Sequence, residues 1–350
     1  METATIAPAT LEKIRVLYKE AGNARLTEKI SGGYLSHNFI LQGDNAKLFL
    51  KQYRFASLEK IEEIHRVKFF FRDGGIPIIL PIKNNTGEYI FEDDGKFYAL
   101  FPFVEGNIIR RKDRSPKAFA SAGKMLGRIH ALSKNGFPRI IDSCHRGWNK
   151  QTFLERAEGM KEKIEAIPKK EYFDKLALET LNCKIQLAKE NETCLEDLSL
   201  RKDHIIHGDY HGQNIFYDNN DEVQNIFDIE KTEVSPRTIE IARAIDYMCF
   251  SNDYTAKSFD DASVFLSAYN EIYPLGIEEL ARGVRAYYLE KAHSIWIEEE
   301  HYIRGNFRVD CFLGGELLML KYYSKNFNEF IDGLNIMKTY TFKPYKITFL

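Results

Sequence analysis

The stretch Ile205-Ile206-His207-Gly208-Asp209-Tyr210-His211-Gly212-Gln213-Asn214-Ile215-Phe216 fits the pattern H-x-D-x-x-x-x-N, and apolar residues suited to short buried strands bracket it. Fourteen residues past Asn214 comes Asp228, closing a second strand-like run, Val223-Gln224-Asn225-Ile226-Phe227. Asp218-Asn219-Asn220-Asp221 supplies the turn between the two runs. Phosphoryl transfer to a hydroxyl needs these residue types. A carboxylate, Asp209, orients the attacking hydroxyl and accepts its proton, with His207 beside it in the catalytic loop. An amide oxygen and a second carboxylate, Asn214 and Asp228, hold magnesium against the phosphates of a nucleotide. An isolated match to the pattern says little; Asp228 at a strand end and the features upstream give it weight.

Upstream, Lys51 lies in the strand-like run Lys47-Leu48-Phe49-Leu50-Lys51-Gln52-Tyr53, ahead of a helix that carries Glu59, Glu62 and Glu63. A lysine held by such a glutamate reaches the α- and β-phosphates of ATP. Glu63 is the expected partner, since Val67 and Phe70 follow it at helical spacing, and Glu62 is the alternative. Alone, a strand lysine is usually a solvated edge residue. Ser31-Gly32-Gly33-Tyr34-Leu35-Ser36-His37-Asn38 offers backbone N–H groups to phosphates, or a plain turn. Phe97-Tyr98-Ala99-Leu100-Phe101-Pro102 reads equally as an adenine edge and as core.

The elements that must position these groups change in kind near residue 103. Before it, a helix is expected over Pro8–Ala21. Strands follow near Phe39–Gln42 and Lys47–Tyr53, joined through Gly43-Asp44-Asn45. Leu58, Ile61, Ile64, Val67 and Phe71 then recur at helical spacing up to Gly74-Gly75. Further strands are expected around Ile78–Ile82, Glu88–Phe91 and Lys96–Phe101. After it, Ser115 and Pro116 form an N-cap and first-turn pair. Helical patterns return over Thr152–Ala166 and Glu171–Lys189, and apart from the insert His204–Ile229 the remainder is helical. The expected fold is α+β and two-lobed: a five-stranded antiparallel lobe with a helix over residues 1–103, and a mainly helical lobe over residues 104–350.

The chain has 350 residues, 44% of them hydrophobic and 29% charged, as in an ordinary globular protein. With 49 Lys and Arg against 51 Asp and Glu, the net charge of −2 gives no reason to expect nucleic acid or an anionic membrane as partner. Cys144, Cys183, Cys194, Cys249 and Cys311 are scattered without a C-x-x-C pair, which favours reduced thiols over a zinc site or disulfide framework. The start lacks the pattern of a signal peptide, and no apolar run has the length of a membrane span. A cytoplasmic protein is expected.

With these residues in hand, the chain resembles the superfamily of aminoglycoside phosphotransferases and choline kinases, which includes homoserine-kinase-type members. His207-Gly208-Asp209 through Asn214 is similar to that family's catalytic loop, Asp228 to its magnesium aspartate and Lys51 to its nucleotide lysine. Gly75-Ile76-Pro77 resembles the turn after its small-lobe helix, and Leu100-Phe101-Pro102-Phe103-Val104-Glu105-Gly106 the linker between its lobes. The nucleotide base is expected against Leu100, Phe101 and Phe103, and the resemblance spans roughly Ser31 to Ile245. It implies an ATP- and magnesium-dependent kinase acting on a small-molecule hydroxyl: an amino alcohol, a sugar or an aminoglycoside-like compound. There are two departures. Glu240-Ile241-Ala242 stands where the family more often has Asp, and Glu230 sits two residues beyond Asp228, unlike the D-F-G of protein kinases. An inactive kinase-fold binding module and an atypical protein kinase are the competing readings. In the C-terminal third, Tyr287-Tyr288, Trp296 and Glu298-Glu299-Glu300-His301-Tyr302 read either as an acidic helix face on an aromatic core or as a wall for a cationic acceptor.

Overall fold

Alternating apolar residues on Phe39-Ile40-Leu41 and Leu48-Phe49-Leu50, with a Gly43–Ala46 turn closed by the Gly43 N–H on the Ala46 carbonyl (2.9 Å), fold the first lobe into an antiparallel sheet. The structure is a computed structural model, described for residues 6–30, 35–54, 56–134, 136–137, 148–194 and 196–334. A short helix α1 (Pro8–Leu17) leads into β1 (Arg25–Ile30), β2 (Ser36–Gln42) and β3 (Lys47–Tyr53). Helix α2 (Leu58–Asp73) follows, then β4 (Phe91–Asp93) and β5 (Lys96–Pro102). The sheet order is β1-β2-β3-β5-β4, which puts β3 at the centre with Lys51 opposite Asn38 on one side and Ala99 on the other.

The period of two divides the sheet's faces. Leu48, Leu50, Phe39, Leu41 and Leu100 meet Ile14 and Tyr18 on the α1 side. Phe49, Tyr53, Ala99 and Phe101 meet Ile61 of α2 on the other, and Lys51 projects on that second face. Ser57 caps α2 by accepting from the Lys60 N–H at 3.3 Å, and Gly75, with φ +77°, reverses the chain after it. The far side of α2 presents Ile64, Val67 and Phe71 to the core of the helical lobe.

The first lobe differs in detail from the sequence-based expectation. β1 was not anticipated, because it is an exposed edge strand carrying Arg25, Glu28 and Lys29 and so shows no apolar alternation. Conversely, Ile78–Ile82 forms no strand: Pro77 and Pro81 remove donors, and one parallel bridge from Ile78 to Ile226 is made instead. Five strands were expected and five are present, but with this exchange and with the strand expected over Glu88–Phe91 lying at Phe91–Asp93; helix α1 ends at Leu17, short of the expected Ala21.

The second lobe is mainly helical. Its helices are α3 (Pro116–Ser133), α4 (Lys150–Glu165), α5 (Tyr172–Glu190), α6 (Arg237–Ile245), α7 (Ala256–Ile272), α8 (Ile277–Ala292), α9 (Trp296–Tyr302) and α10 (Asp310–Leu334). Two small ribbons interrupt them: β7 (Ile215–Tyr217) paired with β8 (Val223–Ile226), and β6 (His204–Ile206) paired with β9 (Glu233–Ser235). Ser115 and Pro116 start α3 as expected, with Ser115 Oγ accepting from the Ala118 N–H at 3.2 Å. One core joins α2, α3, the ribbons, α6, α7 and α8. Cys183, Cys194, Cys249 and Cys311 are free thiols, and Cys144 and Ser31–Tyr34 lie outside the described residues. Among the described residues no helix is long and apolar enough to cross a membrane.

Helix α3 lies against α7 at a glycine: a Cβ on Gly123 would sit 2.1 Å from the Phe265 carbonyl oxygen. Gly123→Val should therefore force the helices apart and cost on the order of 1–3 kcal/mol. Urea denaturation measures it, and wild-type stability in that variant would show that the contact yields freely.

Candidate active site

The catalytic loop is set by a glycine and an acid. Gly208 has φ +83°, and a Cβ there would meet the Lys231 carbonyl oxygen at 2.0 Å, so no other residue fits. The Glu240 carboxylate, fully buried at the heart of α6, accepts from the His207 N–H at 3.0 Å and from the Gly208 N–H at 2.5 Å. It also bonds His130 Nε2 at 3.0 Å. Burial works to raise this carboxyl, but the hydrogen bond from His130 is foremost in holding it below the usual range. One turn along α6, Arg243 donates to the Gly208 carbonyl. Position 240 thus clamps the loop from beneath.

His207, expected in the catalytic centre, has its ring turned inward, where it braces the loop. Its ring is fully buried, with Nε2 donating to the Phe227 carbonyl at 3.0 Å and Nδ1 accepting from the Asp209 N–H at 3.2 Å. That pairing fixes a neutral tautomer, and burial lowers its pKa further. Through it the loop is tied to the residue preceding Asp228. Asn214 makes a second tie: its Nδ2 donates to the Asp209 carbonyl at 2.9 Å, and its own carbonyl accepts from the Phe227 N–H at 3.2 Å. Its Oδ1 makes no hydrogen bond among the described residues. Asp209 meets Lys231 Nζ at 2.9 Å and His211 Nε2 at 3.7 Å. Burial favours its neutral form, but His211 and Lys231 overcome that and hold the carboxyl well below the usual range. It is ionised and ready to accept a hydrogen bond from a hydroxyl.

Lys51 reaches across to this loop region from the sheet. Its ammonium lies 2.6 Å from Glu230 Oε1 and 3.2 Å from Asp228 Oδ1, residues 177 and more positions away in the chain. Burial opposes its charge; Glu230 and then Asp228 outweigh that and raise its pKa. Glu63 is not its partner. That carboxylate, buried on the same helix, is bonded by Lys60 three residues earlier, whereas Glu62 points to solvent. The expectation failed because α2 offers a cation of its own at i−3, and because Glu230 lies nearer. A second lysine of α2, Lys68, is also buried, 3.7 Å from Glu230 and over the Phe101 ring at 5.5 Å. With two cations against it, Glu230 is held well below the usual carboxyl range despite burial. Asp228 is the reverse: desolvation, only partly offset by Lys51, and the Glu230 charge push it up to about 6. Its backbone is left-handed, φ +62°, which turns the carboxylate toward Lys51 and the cleft.

The residues expected around the base are placed unequally. Leu100 is fully buried on the α1 side of the sheet, away from Lys51, and its carbonyl accepts from the Ile82 N–H at 2.7 Å. Its side chain is core. Phe101 is also core, on the Lys51 face. Phe103 is half-buried under the Lys47 ammonium, which lies 5.4 Å from its ring centroid. Beyond it, Gly106 passes so close to Phe216 that a Cβ would come within 2.5 Å of that ring's Cβ, and Phe216 packs on Phe227 at 4.6 Å.

In front of Asp209 opens a cavity of about 330 Å³, lined by Gly208, Lys231, Glu233, Arg243, Tyr247, Lys291 and Trp296. The acidic stretch of α9 is not part of it. Glu298 and Glu300 are buried, Glu298 against Lys184 at 3.1 Å and Glu300 against Arg304. Tyr287 and Tyr288 are core. Glu298 and Glu300 are thus neither a solvated face nor a wall for a cation, and Glu299, half-buried, pairs with Arg156.

Residues 27–275 match the phosphotransferase enzyme family abbreviated APH, and the chain belongs to that family. A homoserine kinase of Methylobacillus flagellatus is 23% identical over 252 residues, 72% of each chain. An aminoglycoside phosphotransferase of Alicyclobacillus acidocaldarius shares the fold with TM-score 0.62 at 12% identity, over 95% of this chain and 98% of that one. A spectinomycin phosphotransferase solved with ADP and spectinomycin does so with TM-score 0.62 at 15% identity, over 96% and 100%. The protein is thus a phosphotransferase of that family.

Glu240→Gln would replace one of the two clamping oxygens with an N–H donor facing a backbone N–H. We expect a loss of about 1–3 kcal/mol in stability together with reduced turnover. Urea denaturation and steady-state rates check both, and a variant unchanged in each would remove the clamp from the account.

Proposed function

We propose that the protein transfers the γ-phosphoryl group of ATP to the hydroxyl of a small molecule, with Asp209 orienting and deprotonating that hydroxyl. The supporting observation is the meeting of Lys51, from the sheet, with Asp228, from the helical part, at 3.2 Å beside the Asp209 loop. In this reading the lobes divide near Phe103 and close over one nucleotide. Lys51 exchanges its carboxylates for phosphate oxygens, while Lys68 stays beside Glu230 and keeps that acid compensated.

The chemistry of the donor set fits magnesium. Asn214 Oδ1 and the Asp228 carboxylate are hard oxygen donors, and magnesium takes only one or two such protein ligands together with phosphates. Among the described residues no cluster of three His, Cys, Asp or Glu offers an all-protein cage for a metal. The bound ion would draw charge from the β- and γ-phosphate oxygens. The chain's own residues do the rest. Asp209 accepts the hydroxyl proton as the acceptor oxygen bonds to the γ-phosphorus, the bond from that phosphorus to the bridging oxygen breaks, and ADP leaves. Glu240 and His207 hold Asp209 and Asp228 in fixed relation while this happens. The names of the relatives, a homoserine kinase and an antibiotic phosphotransferase, agree with a small-molecule acceptor.

Asp209→Asn should lower turnover by about a hundredfold or more with nucleotide affinity nearly intact, because the carboxylate serves the acceptor and not the nucleotide. Steady-state kinetics and nucleotide titration decide it; near-normal turnover would exclude the assignment. Asp228→Ala should weaken magnesium-dependent nucleotide binding more than Asn214→Ala, since a carboxylate holds the ion more strongly than a neutral amide oxygen. Nucleotide titrations at several magnesium concentrations compare the two, and an unchanged magnesium dependence in Asp228→Ala would count against the metal site.

A further inference from the structure

The cavity in front of Asp209 is walled largely by hydrogen-bond donors. Lys291 lines it with an ammonium that makes no hydrogen bond among the described residues; its side chain is 27% exposed. The nearest carboxylate, Glu316, stands 3.9 Å away and is already bonded by Lys184 at 2.7 Å. Burial would lower the Lys291 pKa, but Tyr247 and Glu316 outweigh it, so the group is cationic. Arg243 spends one donor on the Gly208 carbonyl and has four others on its guanidinium. Tyr247 is delivered to the cavity by a five-residue π-turn, Asp246–Phe250, that follows α6, and Trp296 opens α9. Both are about two-fifths exposed, and neither polar tip is bonded among the described residues. A wall of two cations, an indole N–H and a phenol suits an acceptor-rich, negatively charged group and repels a polycation. The carboxylates on the cavity are Asp209, occupied by its own role and by Lys231, and Glu233, which lies within the field of Arg243 and Glu290.

We propose that the acceptor is a small hydroxy acid whose carboxylate is held by Arg243 and Lys291 while its hydroxyl meets Asp209. The inference rests on the kinase reading of the same site and narrows it. A volume of about 330 Å³ accommodates a molecule of this size with its hydroxyl at one end and its carboxylate at the other. Glu233 then faces the middle of the ligand, where an ammonium substituent would be matched.

The test uses the full chain with ATP and magnesium and follows ADP formation. The acceptors are homoserine and 4-hydroxybutyrate, against homoserine amide and 3-aminopropanol, which lack the carboxylate. The hydroxy acids should exceed their uncharged or cationic counterparts at least a hundredfold in kcat/KM. Lys291→Met should raise KM for the hydroxy acid tenfold or more with KM for ATP unchanged, and Lys291→Arg should restore it. Equal or better turnover of the amide or amino alcohol, or an unaltered acceptor KM in Lys291→Met, overturns the carboxylate site and leaves the phosphotransferase reading standing. ADP formation with none of the four acceptors overturns the hydroxy-acid proposal. If Asp228→Ala also leaves nucleotide binding unchanged, the kinase reading falls with it.

Discussion

A buried ammonium cannot be left alone, and the architecture around the cleft follows from where Lys51 finds its counter-charges. Removing one partner of such a buried pair typically costs about 3–5 kcal/mol, because the remaining charge is stranded away from water. Lys51 sits on the central strand of the sheet, and its carboxylates belong to the segment between the two ribbons of the helical lobe. The pair therefore does what apolar contacts alone would do only loosely: it fixes the sheet's register relative to the catalytic loop. Ile64, Val67 and Phe71 of α2 then pack the same junction from beside it.

The second constraint is the set of backbone N–H groups at the loop's start. A tight turn at Gly208 aims two of them inward, and Glu240 is the buried acceptor that satisfies both. Because His207 carries the link on to Phe227, the position of Asp209 and the position of Asp228 are set by one connected network. Asp209 stays ionised through His211 and Lys231, while Asp228 is pushed toward neutrality by burial and by Glu230. Asp209 and Asp228 are thus tuned in opposite directions by their surroundings.

Much of this was legible in the residues themselves. The loop motif, Asp228 and Lys51 are carried by spacing, and strand β3 and the start of helix α3 by local patterns, because turn chemistry, capping and periodicity are short-range signals. What escaped is long-range or unpatterned. Glu230 as the partner of Lys51 depends on a meeting across 179 positions, and no local rule favours it over Glu63. The edge strand β1 has charged residues where an interior strand would alternate. Leu100 reads as an adenine edge until the sheet's period of two places it on the far face. The α9 acids look solvated or ligand-facing in sequence, and only the fold brings Lys184 to Glu298.

The cavity beside Asp209 has the same character: its cations come from β9's approach, α6 and α8, and no stretch of sequence announces them. What joins that side of the site to the nucleotide side is the claim that Lys51 and Asp228 serve one triphosphate. A crystal structure with magnesium and a non-hydrolysable ATP analogue tests it most directly. The account predicts Lys51 Nζ within about 3 Å of a phosphate oxygen, with Asn214 and Asp228 oxygens within about 2.1 Å of the ion. A nucleotide bound elsewhere, with Lys51 still on Glu230 and no ion at Asp228, would contradict it.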